Sequence, residues 1–117
     1  MPDSERRSPR RVLHTVIAAV GAHVTEDPQA CRVLMEARIL AAYQPAIAAA
    51  VRDADARARA QLASLIQAGI TAREWPAGTD PGLQARLVTA TLHGMMAQWH
   101  LAPGSFSWDG VADALIP

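Results

Sequence analysis

Apolar residues recur at intervals of three and four positions along most of this chain, and no stretch alternates strictly between apolar and polar residues. The first pattern is typical of amphipathic α-helices, whereas strict alternation would have indicated strands. Four prolines, Pro9, Pro28, Pro45 and Pro81, interrupt the pattern. Proline is tolerated at the first position of a helix, and three of these prolines follow a serine or an aspartate that can cap free N–H groups. The sequence therefore predicts helices over residues 9–25, 28–43, 45–73 and 81–101, and a short one over residues 107–116.

The composition agrees with one helical domain. The chain has 117 residues, of which 50% are hydrophobic and only 4% are aromatic. This length is common for a single domain, and alanine, the commonest residue here, is the strongest helix former. We therefore expect an all-α bundle of about five helices, four main ones and a short C-terminal one. Residues 9–117 form this domain, and residues 1–8 form a mobile N-terminal arm.

The predicted third helix has a charged side opposite its apolar stripe. On that side Asp53 precedes Arg57, and Asp55 precedes Arg59, by four residues each. Such pairs contribute only about 0.3 kcal/mol each on a solvated helix surface. We interpret this side as a solubilising surface and not as a functional site.

The predicted fourth helix has two apolar faces, about 140° apart around its axis. A helix at the edge of a small monomer needs only one buried face, so the second indicates a central position in the bundle or a contact with another chain. Glycine inside a helix lowers stability by about 1 kcal/mol relative to alanine, unless it permits a close approach of two helices. Gly94 lies on the first face, so it marks that face as a candidate contact between helices. The first face comprises Leu83, Leu87, Ala90, Gly94, Ala97 and Leu101, and the second comprises Val88, Leu92, Met95, Met96 and Trp99.

A homodimer with two-fold symmetry would cover the first face. The short C-terminal helix has apolar residues at Trp108, Val111 and Leu115 and is too short to be stable alone, so we expect it to join the fourth helix in the interface. Gly94 would lie near the crossing of the two chains. Two alternatives remain open: the first face is a seam within one chain, or the second face, which carries the methionines and Trp99, forms the dimer.

An apolar cavity between the first four helices is the predicted ligand site. Arg38 lies on the apolar stripe of the second helix, where a guanidinium must reach solvent, pair with an acid or bind a ligand. Methionine side chains suit a pocket for varied apolar ligands, although each one also fits an ordinary core. His23, at the margin of the first helix's stripe, is either a packed histidine or a pocket residue. The candidate lining residues are His23, Met35, Arg38, Leu92, Met96 and Trp99.

The sequence offers little support for other functions. The formal net charge is zero, so no overall field attracts nucleic acid. No motif of an enzyme or cofactor site is present, and His93 and His100 share a helix face without a third metal ligand, so we expect no catalysis, cofactor or metal. The single cysteine, Cys31, fits inert packing in a reducing compartment such as the cytoplasm. The apolar run over residues 12–22 is too short to span a membrane, and an export signal is its less favoured interpretation.

Two segments of the chain carry a family resemblance. The first ends in Ala68-Gly69-Ile70, and the second runs from Asp80-Pro81 through Ala85-Arg86-Leu87 to Gly94 and Gln98-Trp99. In this order and spacing they resemble the C-terminal half of tetracycline-repressor-like (TetR-like) transcriptional regulators. Arg73 departs from the family, which often has glycine there, and this suggests that the third helix continues about one turn further.

The resemblance implies an effector-binding and dimerisation domain. Members of the family join an N-terminal helix-turn-helix domain to a helical domain that binds a small effector and dimerises through its last two helices. Only eleven residues precede Val12, too few for a helix-turn-helix domain, so we expect a fragment or a stand-alone effector domain that binds no specific DNA by itself. The predicted partners are a second copy and a small apolar or amphipathic effector. The alternative is a helical protein-interaction module with a solid core and no ligand.

Overall fold

The computed structural model describes residues 8–116, so Pro117 and all of the predicted N-terminal arm except Ser8 lie outside the described residues. Within the described range the chain forms five α-helices and no strand, which confirms the predicted all-α bundle. The helices are α1 (Pro9–Glu26), α2 (Pro28–Leu40), α3 (Pro45–Thr71), α4 (Pro81–Leu101) and α5 (Trp108–Leu115).

The helices begin where the proline steps predict. Helices α1 to α4 each have proline at their start. The side chains of Ser8, Asp27 and Asp80 accept hydrogen bonds from backbone N–H groups in the first turns of α1, α2 and α4, and Ser107 does the same for α5. These bonds satisfy donors that have no partner within the helix, so the sequence sets four of the five starts by local chemistry.

Helix α2 ends at Leu40, three residues before the predicted end. Gln44 adopts an extended conformation, as expected for a residue whose helical conformation would clash with the following Pro45. Residues 41–43 form a turn instead of a last helical turn. In this turn the N–H groups of Ala42 and Tyr43 donate to the carbonyls of Ile39 and Leu40, three residues earlier, so the chain tightens before the extended Gln44.

The prediction that α3 continues past residue 73 is wrong, because the helix ends at Thr71. Arg73 adopts a left-handed conformation, with φ of 63°. Its N–H donates to the carbonyl of Ile70 at 3.0 Å, and the N–H of Glu74 donates to the carbonyl of Gly69 at 2.8 Å. This is the C-terminal cap that glycine usually provides, formed here by an arginine.

The left-handed turn brings Glu74 to the start of α1. One carboxylate oxygen of Glu74 accepts a hydrogen bond from Ser8 Oγ at 2.7 Å, and the other accepts one from the backbone N–H of Arg10 at 2.8 Å. An anion at this position also interacts favourably with the positive end of the helix dipole. The cap at the end of α3 therefore fixes the beginning of α1, more than sixty residues earlier.

Helix α1 packs against α2, α3 and α5, and α4 packs mainly against α3. The core is apolar throughout, because no polar or charged side chain among the described residues is fully buried apart from the indole N–H of a tryptophan. Helix α2 contributes only one buried side chain, and several of its apolar residues remain exposed. The buried hydrophobic residues are Leu13, Ile17, Val24, Cys31, Ile66, Ala85, Val88, Leu92, Trp108, Ala112 and Ile116.

Helix α5 is held against α1 by an indole that lies on a glycine. A β-carbon added at Gly21 would overlap the Cβ and Cγ atoms of Trp108, so the absence of a side chain allows this approach. The Trp108 ring also lies 5.2 Å from Phe106 and 6.0 Å from Trp99, measured between ring centroids. The short terminal helix is thus stabilised by packing within its own chain.

The two apolar faces of α4 have different environments. Val88 and Leu92 of the second face are buried, and Met95, Met96 and Trp99 pack against the core. On the first face Leu83 and Leu87 are each 54% exposed and Leu101 is 89% exposed. Within one described chain, therefore, only the second face is a packing seam.

Candidate ligand-binding clefts

Two apolar clefts open between the helices on the inner side of α4. The first, which we call the α1 cleft, lies between α1, α3 and α4 and has a volume of about 290 Å³. Apolar side chains dominate its walls, and Gln61, Thr89 and His93 are the polar ones. It is lined by Val16, Ile17, Val20, Ala58, Gln61, Leu62, Leu65, Thr89, Leu92, His93 and Met96.

The second, which we call the α2 cleft, lies between α2, α3 and α4 and has a volume of about 270 Å³. Its walls are also apolar, except for Arg38, Asp55 and His93. It is lined by Leu34, Met35, Ala37, Arg38, Val51, Ala54, Asp55, Ala58, His93 and Met96.

The two clefts share three lining residues, Ala58 of α3 and His93 and Met96 of α4. The two clefts are therefore neighbours that meet at these three residues. Apolar walls with a few convergent polar groups are the usual form of a small-molecule site, and each cleft is close to the lower end of the usual range of about 300–1,000 Å³.

A bidentate ion pair lies at the wall of the α2 cleft. The two terminal nitrogens of Arg38 each donate to one carboxylate oxygen of Asp55, both at 2.9 Å. This hydrogen bond holds the pKa of Asp55 below its ordinary value, against the opposing effect of burial, and it raises the pKa of Arg38. Both groups are therefore charged at neutral pH. The internal salt bridge is one of the two structural interpretations of Arg38 that the sequence left open.

His93 lies beside this pair and is half-buried. Burial lowers its pKa, the positive charge of Arg38 lowers it further, and Asp55 acts in the opposite direction. The imidazole is therefore neutral at pH 7 and offers one donor and one acceptor. Within the described part of the chain it takes part in no hydrogen bond or ion pair, so both nitrogens are available to a ligand.

Four of the six predicted ligand residues line the clefts. Met35 and Arg38 lie in the α2 cleft, Leu92 in the α1 cleft, and Met96 in both. The other two do not. His23 is exposed on α1, and Trp99 packs edge-on against Phe106, with 5.2 Å between ring centroids.

Comparison with known proteins agrees with this architecture. A family model described as the C-terminal domain of BetI-type transcriptional repressors matches residues 9–115. The chain belongs to this family. The match confirms the TetR-like resemblance and covers every helix of the structure. No curated protein and no solved structure matches the chain.

Sequence reasoning missed two of the three titratable residues in the clefts, Asp55 and His93. In this BetI-type domain Asp55 faces α2, although its spacing from Arg59 suggested a solvated surface pair. From the sequence, His93 was considered only as half of an incomplete metal site with His100, whereas the structure places it at the junction of the two clefts. The available signal was weak: His93 follows Leu92 and lies three residues before Met96, so it borders the apolar face of α4.

The residues predicted to form a dimer divide into two groups. Leu83, Leu87, Ala90, Gly94 and Leu101 are exposed, and Gly94 has no atom within 4 Å of the position that a β-carbon would take. The remaining four are more covered: Ala97, Val111 and Leu115 are partly buried, and Trp108 is only 8% exposed because α1 of the same chain covers it.

The other features of this BetI-type domain are weaker candidates for a binding or reactive site. The depression of about 480 Å³ lined by Arg10, Arg11, His14, Thr15 and Ile116 has only one apolar side chain. Burial raises the pKa of the Cys31 thiol, which favours its protonated, unreactive form. Over residues 8–116 no three metal-binding side chains converge, and none of the helices could cross a membrane.

Proposed function

We propose that this domain binds a small apolar or amphipathic effector in the α1 and α2 clefts and pairs with a second copy of itself, as part of a cytoplasmic transcriptional regulator. The supporting observation is the pair of adjoining apolar clefts with a polar group, His93, at their junction. A purely structural interaction module would gain stability by filling this space. The family match supports a regulatory role, and binding is the role proposed here instead of catalysis.

The proposed dimer uses the exposed face of α4. Leu83, Leu87 and Leu101 each leave more than half of their surface exposed, and Gly94 offers a place where two backbones can approach closely. Val111 and Leu115 of α5 are partly exposed and remain in the proposed interface. Trp108 does not, since its indole packs inside its own chain.

Filling the clefts tests the ligand site. Ala58 lines both clefts, so Ala58→Phe should occupy space in each, whereas Ala60→Phe adds the same side chain on the opposite side of α3. Nile red, a neutral dye that becomes fluorescent in apolar surroundings, serves as the probe. We expect the native protein and Ala60→Phe to bind the dye equally, and Ala58→Phe to lose about tenfold or more in affinity. Equal binding by both variants would place the dye elsewhere and contradict the proposed site.

A further inference from the structure

Asp55 and Arg38 differ in whether a second residue of opposite charge is available to each of them if their ion pair is broken. Asp55 has a second cation within reach, because Arg59 lies one turn further along α3 and already helps to lower the pKa of Asp55. An acid four residues before a base is the favourable order for a pair on a helix. Arg38 has no such substitute on its own helix. The positions three and four residues away from it are Leu34, Met35, Ala41 and Ala42, and the acid of α2, Glu36, is two residues away on a different face.

This asymmetry distinguishes between ligands of opposite charge. A cationic ligand would take Asp55 and leave Arg38, whose side chain is 38% exposed, with water in place of its acid, so the two charge-assisted bonds would be lost without a replacement in the protein. An anionic ligand would take Arg38, and Asp55 would then have Arg59 as a cation to pair with. The arrangement of charges therefore favours an anion, although the pair itself is neutral overall.

Resting on the proposed function, we infer that the α2 cleft binds the carboxylate of an amphipathic organic acid at Arg38, while Asp55 transfers to Arg59. A carboxylate matches the planar guanidinium fork in the way that the Asp55 carboxylate does at present, with two bonds of 2.9 Å. His93, at the junction of the two clefts, offers its N–H to the same carboxylate or to another polar group of the ligand.

The hydrocarbon part of the acid has apolar surface on both sides of the junction. Met35 and Val51 line the α2 cleft beside Arg38, and Leu62, Leu65 and Leu92 line the α1 cleft beyond Met96. Methionine side chains are flexible, so Met96 can move to let a chain pass from one cleft to the other. An unbranched acid with its charge at one end fits this geometry better than a compact polar anion.

Three probes with the same alkyl chain and different head groups test the charge preference. Decanoate, decan-1-ol and decyltrimethylammonium are titrated into the whole chain by calorimetry at fixed ionic strength, below the concentration at which each forms micelles. We expect decanoate to bind about tenfold or more tightly than either of the others, the usual effect of a charge-assisted hydrogen bond. Equal or tighter binding of the alcohol or the cation overturns the inference but leaves the proposed ligand site intact. Failure of all three to bind, together with failure of Nile red, would instead contradict the proposed function.

Two variants test the exchange of partners. Arg38→Gln should abolish the preference for decanoate over decan-1-ol, and circular dichroism checks that it remains folded. Arg59→Gln leaves the Arg38–Asp55 bonds in place but removes the alternative partner of Asp55, so it should weaken decanoate several-fold without affecting decan-1-ol. Arg57→Gln makes the same charge change on the same helix, two residues away and exposed, and should leave both affinities unchanged. If Arg57→Gln and Arg59→Gln weaken decanoate equally, the effect is a general one of charge and the exchange of partners is refuted.

Discussion

At the scale of single residues, Arg73 shows that surrounding contacts can hold a residue other than glycine in the left-handed conformation of a helix cap. A non-glycine residue in the left-handed region loses about 1–2 kcal/mol relative to a right-handed one, and Arg73 lies there with φ of 63°. The surrounding contacts therefore hold it in place. These contacts are the two cap hydrogen bonds to α3 and the bonds of the neighbouring Glu74 to the start of α1.

Replacing Arg73 by glycine should stabilise the protein. We expect Arg73→Gly to raise the free energy of unfolding by up to about 1 kcal/mol, because relief of the left-handed strain exceeds the entropy that glycine gains in the unfolded chain. Arg73→Ala removes the same side chain but retains the strain, and should not raise stability. Urea denaturation measures both variants. A glycine variant no more stable than the alanine variant would show that the conformation carries no strain.

His93 gives the stability of the domain a dependence on pH. Its pKa is lowered in the folded state by burial and by Arg38, so the unfolded chain, with a histidine pKa of about 6.5, takes up the proton first. The stability associated with a neutral, buried His93 is therefore fully present above about pH 6.5 and is lost as the pH falls below that value. We expect the melting temperature of the native protein to decrease more than that of His93→Gln between about pH 7.5 and 5.5. Parallel curves for the two proteins would contradict this.

The roles that could be predicted from the sequence are those that depend on residues nearby in the chain. Ser8, Asp27 and Asp80 cap helices because each directly precedes a proline at a helix start, and the sequence shows this directly. Arg38 was recognised as unusual from its own helix. Its partner, Asp55, lies on another helix and had a plausible local partner in Arg59, so only the packing of α2 on α3 identifies it.

At the scale of elements, Glu74 links the end of one helix to the beginning of another. Glu74→Ala would remove the acceptor for Ser8 Oγ and for the backbone N–H of Arg10. We expect a loss of about 1–2 kcal/mol in the free energy of unfolding, the usual effect of removing a helix cap, and a smaller loss for Glu74→Gln, which keeps one oxygen. Hydrogen exchange should show faster exchange at the first turn of α1.

Glu36→Ala is the matched control for this prediction. Glu36 is an exposed glutamate on α2, so the variant removes the same charge with no change expected in the exchange of α1. If the two alanine variants lose equal stability and the first turn of α1 stays protected in both, Glu74 does not hold the helix start.

Helix beginnings were easier to predict than helix ends for a physical reason. Proline and a capping side chain act on backbone groups within three residues, so their effect can be predicted from the neighbouring sequence. The end of α3 depends on a left-handed Arg73, a conformation that propensity assigns to glycine. The close contact of α5 with α1 depends on Gly21, which lies in the middle of an unremarkable helix, and nothing local indicates that Trp108 covers it.

At the scale of the whole molecule, the proposed dimer can be tested at a glycine that has space around it. A side chain at Gly94 meets no atom within its own chain, so Gly94→Leu should leave the folded protomer intact and should slightly favour the helix. In a dimer that crosses at Gly94 the same side chain would separate the two backbones. We therefore expect sedimentation to show a native dimer at micromolar concentration and a dimer weakened about tenfold or more in Gly94→Leu.

Gly78→Leu serves as the control, since Gly78 also has open space around it but lies in the loop between α3 and α4. It should dimerise as the native protein does. A native monomer would refute the proposed dimer, and an unchanged dimer in Gly94→Leu would move the interface to another surface.

The existence of two apolar faces on α4 could be predicted from the sequence, but their separate uses could not. Periodicity shows where apolar side chains lie around an axis, and it contains no information about which neighbours fill each side. The structure shows that Val88 and Leu92 face the core, while Leu83 and Leu87 remain exposed. The clefts could not be predicted for the same reason, because the space left between helices depends on how the side chains of several helices pack together.

The position of Trp108 offers a way to observe the domain in solution. Its indole nitrogen is buried and has no hydrogen-bond acceptor among the described residues, and the aromatic rings of Trp99 and Phe106 lie against the indole. In a nitrogen-15 correlation spectrum, ring currents and the missing hydrogen bond should set its N–H signal apart from those of the other two tryptophans, and burial should slow its exchange with deuterated water. One resonance would then report directly on the docking of α5 onto α1, without any added label.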